Sequence, residues 1–238
     1  MNAAMYKALS GAIVQMRRLE VVSQDLANVN TAGYKGERLA FREILTDSPF
    51  RGQRLGGLAV VTEQRTDLSR GALQRSGNPF DLAIEGEGFF AIETPQGVRY
   101  TRQGLFVRSS DGTVVTPLGN PLLGEGGPIR IDGTKMEVTP EGMVLSDGVE
   151  VDKLRVVRFA DPRRLTREGN SLFRVPEEAV EGDATSRVLQ GSLEQANVNP
   201  IEALVTLITV QRQFEAYERA MRTMDAVTER IVNEAARV

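Results

Sequence analysis

Ala203, Leu207, Val210, Phe214, Tyr217, Met221, Met224, Thr228, Ile231 and Ala235 stand four and three residues apart without a break. A helix places such a series on one face, so the end of this chain is committed to an amphipathic helix with a repeat close to that of a coiled-coil seam. Asn199 is placed to cap it, Pro200 fits its first position, and Glu202 completes a capping box three residues after the cap. On its polar side, Glu215 precedes Arg219 and Glu218 precedes Arg222 by four residues, the order that supports a helix. At 1.5 Å per residue the helix is roughly 50 Å long. A stripe of that length needs a partner surface.

A second stripe opens the chain. Between Ala3 and Leu26 the residues Met5, Leu9, Ala12, Met16, Leu19 and Leu26 keep the same spacing, with Ser23 in the remaining slot. The pattern stops at Asn28-Val29-Asn30-Thr31-Ala32-Gly33, residues that tolerate turn and left-handed conformations. Two helices of such unequal length leave apolar surface over when they pair only with each other. Completion of both stripes by other subunits is therefore expected, with Met5, Leu9, Ala12, Met16, Leu19, Leu26, Leu207, Val210, Phe214, Tyr217, Met221, Met224 and Ile231 as subunit-interface candidates. The alternative is a two-helix hairpin within one chain. The polar residues Gln211, Glu215, Glu218 and Arg222 form the opposite face of the last helix.

Between the helices the period changes. Leu39 to Leu45 is a short apolar stretch, either a helical turn or an ordered arm, and residues 46–78 carry Pro49, Gly52, Gly56, Gly57, Gly71 and Gly77, with one strand expected near Leu58 to Thr62. Pairs two residues apart follow: Leu82 and Ile84, Val98 and Tyr100, Ile129 and Ile131, Met136 and Val138, Met143 and Leu145, Leu154 and Val156. Turn signals at Pro95-Gln96-Gly97, Asp111-Gly112, Asp132-Gly133, Pro140-Glu141-Gly142 and Asp147-Gly148 separate them. Short strands with frequent turns specify an antiparallel β region. The expected fold is α+β: a coiled-coil-like helical domain from residues 1–36 and 199–238, an extended connector over 37–78, and a β-rich domain over 79–198.

Composition narrows the chemistry. The 238 residues include no Cys and no His, which removes thiolate and imidazole catalysis, zinc sites and disulfides together. No catalytic, cofactor-binding or metal-binding residues are expected. A formal net charge of -3 gives no sequence-independent attraction to nucleic acid or anionic lipid. The run Ala203 to Val210 is interrupted by Thr206 and Thr209 and is far shorter than the roughly 20 residues that span a bilayer. Lys7, Arg17 and Arg18 share their helix with Glu20 and Asp25, which describes a solvated face better than a lipid-binding one. The stretch after Lys7 has no continuous apolar core of a secretory signal.

Two motifs invite chemical readings. Gly86-Glu87-Gly88-Phe89-Phe90-Ala91 matches a loose dinucleotide fingerprint, but the turn at Pro95 comes too soon for the helix such a loop must open, and Glu87 would repel phosphate. Glu85 with Glu87, or Glu125 with Asp132, would supply the paired carboxylates of a glycan hydrolase, yet 5% aromatic residues and no Trp leave little for a sugar to stack on. A repetition is harder to dismiss: Ala27-Asn28-Val29-Asn30 recurs as Ala196-Asn197-Val198-Asn199, leaving the first helix and entering the last. Paired hinges are the expectation.

At these residues the chain resembles a known family. Leu26-Ala27-Asn28-Val29-Asn30-Thr31-Ala32-Gly33-Tyr34-Lys35 is similar to the signature of bacterial flagellar axial proteins, the rod and hook subunits. Gly86-Glu87-Gly88-Phe89-Phe90, Tyr100-Thr101-Arg102-Gln103-Gly104 and Asp111-Gly112 resemble the β domain of those proteins, and Gln190-Gly191-Ser192-Leu193-Glu194 leading into Asn197-Val198-Asn199-Pro200 resembles the entrance to their last helix. The short connector resembles proximal rod members more than the longer distal rod and hook subunits. The resemblance implies a non-catalytic subunit that stacks with copies of itself and other rod proteins around an export channel, forming a torque-transmitting shaft in the periplasm. It also implies delivery through the flagellar type III export apparatus without a cleaved signal peptide, with no nucleic acid partner and no membrane insertion. Asn28, Asn30, Thr31, Gly33, Tyr34, Asn197, Asn199 and Pro200 then mark the hinge, and Gln211, Glu215, Glu218 and Arg222 face the channel. A distal rod subunit and a wall-glycan hydrolase are the competing readings.

Overall fold

The computed structural model describes residues 3–47, 54–175, 181–183 and 186–235, and the side chains of most of them. Helix α1 spans Ala3–Ala27 and helix α2 spans Pro200–Ala235. Strands β1 (Glu37–Asp47) and β2 (Arg54–Thr66) follow α1, then β3 (Leu73–Arg75), β4 (Leu82–Glu85), β5 (Phe89–Thr94) and β6 (Gly97–Thr101). After them come β7 (Val107–Arg108), β8 (Val114–Val115), β9 (Met136–Val138), β10 (Met143–Ser146), β11 (Val149–Lys153) and β12 (Val156–Phe159). The last strands are β13 (Thr166–Arg167), β14 (Leu172–Arg174), β15 (Glu181–Asp183), β16 (Arg187–Gln190) and β17 (Ser192–Glu194). The fold is thus a mixture of terminal helices and central antiparallel sheet.

Two compact units divide the chain: Met1–Ala27, Glu37–Arg65 and Asn199–Val238 in a helical unit, and Asn28–Gly36 with Thr66–Val198 in a β unit. In the helical unit α1 packs along α2. The stripe of α2 supplies this contact: Ala203 and Val210 are buried, and Leu207, Phe214, Tyr217, Met221 and Met224 are half-buried. From α1 come the small residues Ala8, Gly11 and Ala12, with Val14 and Val21 also buried. Gly11 has a packing reason, since a Cβ there would lie 2.5 Å from the Tyr217 ring. β1 and β2 form a two-stranded sheet in the same unit, so Leu39 to Leu45 is strand and not a helical turn. Arg18 stacks over Phe41 at 4.8 Å, and Arg17 donates to Gln64 Oε1 at 2.6 Å. No described helix is long and apolar enough to cross a membrane.

The β unit centres on a six-stranded sheet of order β13-β14-β6-β5-β12-β15, beside a three-stranded sheet β11-β10-β9 and the short pairs β3-β17, β4-β16 and β7-β8. Every one of these pairings is antiparallel. Pro95-Gln96 closes the β5-β6 hairpin, with Thr94 opposite Gly97. Asp147 (φ 49°) and Gly148 (φ 83°) close β10-β11 with the two positive φ angles of a type I′ turn. Two apolar clusters fill the unit. One gathers Leu82, Phe90, Ile92, Phe106, Leu122, Ile131 and Val144; the other gathers Phe89, Tyr100, Phe159 and Phe173. Alternation along β5 explains the division, because Phe89 and Phe90 point to opposite faces of the same strand.

Candidate functional site

The chain crosses between its two units at 27/28, 36/37, 65/66 and 198/199. On the β side of these crossings, three sequence-distant segments are fastened together. Asn28 to Thr31 forms a tight turn, with Thr31 N donating to Asn28 O at 2.9 Å and Thr31 Oγ1 donating to Asn28 Oδ1 at 3.3 Å. Asn30 is exposed. Gly33, at φ 67°, approaches the Arg102-Gln103 peptide so closely that a Cβ would lie 2.4 Å from its carbon and nitrogen, and its N–H donates to Glu194 O at 2.7 Å. Only glycine satisfies both demands.

Asn197 ties the segments by its amide. Its Oδ1 accepts from Gly36 N at 2.8 Å, and its Nδ2 donates to Asp67 O at 2.7 Å and to Ser69 O at 3.2 Å. Asp67 N donates to Gly36 O at 2.7 Å, and Asn197 N donates to Tyr34 O at 3.4 Å. Tyr34 is fully buried beneath the guanidinium of Arg167, 4.3 Å from its ring centre. The two copies of the repeated tetrapeptide therefore act differently. Asn28 shapes a local turn and Asn197 bridges remote backbones, while Asn199 caps α2 by accepting from Ile201 N at 3.0 Å, ahead of Pro200.

Behind this junction lies a buried charge cluster. Lys35 Nζ donates to Glu194 Oε1 at 2.5 Å and to Ser69 O at 2.7 Å, and the same carboxylate oxygen accepts from Gly71 N at 2.9 Å. Glu194 Oε2 lies 3.1 Å from Arg102 Nε, an ion contact without hydrogen-bond alignment. Arg102 also donates to Gly88 O and Gly86 O, each at 2.8 Å. The glycine pair that imitates a phosphate loop thus turns carbonyls onto an arginine. All three charged side chains are almost wholly buried. Desolvation by burial pushes the Lys35 ammonium below its ordinary value, opposed by the attraction of Glu194, and burial lowers Arg102 in the same way. One carboxylate shared by two cations holds together residues 35, 102 and 194, and leaving any of them unpaired in this low-dielectric site is costly.

The remaining sequence candidates are distributed over the helical unit. Met5, Leu19 and Leu26 are half-buried and Ala12 is buried, whereas Leu9 and Met16 are exposed. Ile231 lies in α2, but its side chain is outside the described residues. Gln211, Glu215 and Arg222 are exposed, with Glu218 half-buried and 3.5 Å from Arg222. Of the carboxylates considered for catalysis, Glu87 faces Arg158 at 3.5 Å, Glu125 faces Lys153 at 2.9 Å and Asp132 faces Arg130 at 2.8 Å. Among the described residues no group of three metal-ligating side chains occurs. Lys35, Arg102 and Glu194 all stand inside the segments that carry the family resemblance, but nothing local distinguishes a buried charged residue from a solvated one.

Comparison with known proteins converges on those segments. Three family models match: flagella basal body rod protein over residues 5–35, flagellar hook protein FlgE/F/G D1 domain over 83–146, and flagellar basal body rod FlgEFG protein C-terminal over 189–234. Each contributes one member of the cluster, Lys35, Arg102 and Glu194 in turn. The chain belongs to the flagellar basal-body rod protein family and is a structural subunit of the bacterial flagellum. It is 33% identical over 238 residues to flagellar basal-body rod protein FlgF of Caulobacter vibrioides, covering 96% of this chain and 95% of that one. The FlgF of Mesorhizobium japonicum is 32% identical, covering 93% of each chain, and the FlgG of Bacillus subtilis is 29% identical, covering 98% and 99%.

Proposed function

We propose that this chain is a proximal rod subunit whose paired helices assemble with neighbouring copies and other rod proteins into a coiled-coil inner tube around the export channel. The observation that carries this reading is apolar surface left over after α1 and α2 have packed. On α1 the residues Tyr6, Leu9, Ile13 and Met16, at steps of three and four, are 44 to 50% exposed. On the first turns of α2, Ile201, Leu204, Val205 and Ile208 are 45 to 73% exposed at the same kind of spacing. Two continuous stripes of this size in water define association surfaces. Leu9 and Met16 contact neighbours directly, while Met5, Leu19, Leu26, Phe214, Tyr217, Met221 and Met224 lose their remaining exposure on assembly. Ala12, Leu207 and Val210 set the pairing that orients both stripes, and Ile231 extends the α2 stripe.

In the same reading Gln211, Glu215, Glu218 and Arg222 line the channel, where mixed signs hold a passing chain only weakly. The subunit acts without catalysis, reaches the periplasmic rod through the type III export apparatus, and keeps its N-terminus uncleaved. The proximal assignment is supported by the FlgF relatives; the FlgG relative supports the distal alternative. Replacing Leu9 by Asp, or Val205 by Asp, is expected to leave a folded, exported subunit that cannot enter the rod, giving non-motile cells with truncated basal bodies. Normal basal bodies in both variants would refute the assembly role of these stripes.

A further inference from the structure

The β unit carries an open groove of about 530 Å³ between Leu68-Arg70, Gly86-Phe89 and Arg158-Pro162, with Arg102 at its base. Its floor is apolar: the Phe89 and Phe159 rings lie 5.9 Å apart, and the Arg102 guanidinium sits 5.8 Å from the Phe89 ring centre. Its rim carries two arginines, Arg70 and Arg158, and one carboxylate, Glu87. Among the described residues Arg70, which is exposed, makes no hydrogen bond or ion pair, and the exposed Arg158 side chain makes one ion contact, at 3.5 Å with Glu87. Such a groove selects a carboxylate flanked by aliphatic side chains, because apolar contact fills the floor while the rim supplies bidentate donors.

The same unit presents that chemistry on a different element. β11 is the outer strand of the β9-β10-β11 sheet. Its second half is covered, with Glu125 N donating to Lys153 O at 2.8 Å and Gly126 N donating to Asp152 Oδ2 at 3.0 Å. Its first half is bare: Val149 is 69% and Val151 41% exposed, and Glu150 between them has no partner among the described residues. The β10-β11 register shifts here, with Leu145 opposite Glu150 and Val144 opposite Asp152, so this stretch offers its side chains, two exposed valines beside a carboxylate, more than a regular ladder edge.

We propose that the Val149-Glu150-Val151 segment of one copy docks on the groove of the next, with the Glu150 carboxylate between Arg70 and Arg158. The two surfaces share no residue, so the contact is head-to-tail. A contact of this kind propagates into an open helical array and does not close as a two-fold dimer. The proposal rests on the reading of this chain as a self-assembling subunit but not on the helical stripes, and it adds a second contact, between β units, to the one made by the helices.

The chain has no cysteine, which makes disulfide trapping clean. Full-length Ala160→Cys and full-length Val149→Cys are mixed under mild oxidation, with Arg130→Cys replacing Ala160→Cys as a surface control. A cross-linked pair is expected for the groove position and not for the control. Arg70→Glu in the first chain or Glu150→Arg in the second should each lower the yield by about tenfold, and the two together should restore it. Equal yields at groove and control positions, or yields indifferent to charge reversal, would overturn the proposal. Adding Leu9→Asp to both chains separates the two contacts: the cross-link persists if the β contact stands alone, even where the helical reading fails.

Discussion

The helical unit and the β unit solve the burial problem in opposite ways. In the β unit, Phe90, Phe106, Phe173, Leu82 and Ile92 are essentially inaccessible, and even its charged residues Lys35, Arg102 and Glu194 are enclosed and paired. In the helical unit the buried positions are mostly small, Ala8, Ala12 and Ala203 with Val14, Val21 and Val210, while Tyr6, Leu9, Ile13, Met16, Val205 and Ile208 remain in water. Two helices share one face, and residues on the faces turned away from it stay in water. The contrast separates a body that is closed when one chain folds from a pair of helices that, in the function proposed above, is completed by assembly.

The sharpest way to break this contrast is to attack the β unit where it is most self-contained. Glu194→Gln leaves Lys35 and Arg102 buried without their shared counter-charge, and denaturant unfolding should show a loss of about 3–5 kcal/mol. Phe90→Ala removes a ring packed edge-on against Phe106 at 5.6 Å and is expected to cost about 3–5 kcal/mol by cavity formation. On the helical side, Asn199→Ala removes the α2 cap for a loss of about 1 kcal/mol, visible as helix fraying by circular dichroism. Leu9→Asp should change the stability of the free chain least of all, within about 0.5 kcal/mol, despite its effect on assembly.

A pH effect sharpens the same comparison. Burial holds Lys35 below its ordinary value of 10.5. As pH rises between the folded-state value and 10.5, the unfolded chain binds the proton that the folded chain has released, so stability rises across that window. Below it, both states carry the charge and this contribution is flat. Lys35→Met should abolish this rise in the denaturation midpoint, read by denaturant unfolding at pH values on either side of the window.

What the sequence discloses follows the range of the interactions involved. Helix α2 was legible down to its cap because Asn199, Pro200, Glu202 and the stripe lie within a few residues of one another. The turn at Asp147-Gly148 was legible for the same reason. Strand partners were not: β4 pairs with β16, placing Leu82 opposite Gln190, and no local signal encodes that choice. β5 is hidden in the sequence because Phe89 and Phe90 feed two different clusters, which masks its alternation. The repeated Ala-Asn-Val-Asn pointed to the junction, but its asymmetry, with Asn197 bridging and Asn28 turning, depends on where Gly36 and Asp67 arrive. The stripe of α2 is local and visible; that α1 covers it within one chain, leaving Leu9 and Met16 exposed, is a matter of tertiary packing.

The central claim is that the exposed helical stripes are the surfaces closed by assembly. Leu9→Cys and Val205→Cys, each introduced into the otherwise cysteine-free chain, allow maleimide labelling of the purified subunit and of isolated hook-basal bodies. Rapid labelling of both positions in the free subunit and strong protection of both in the assembled rod is the predicted result. Equal labelling in the two states would contradict it.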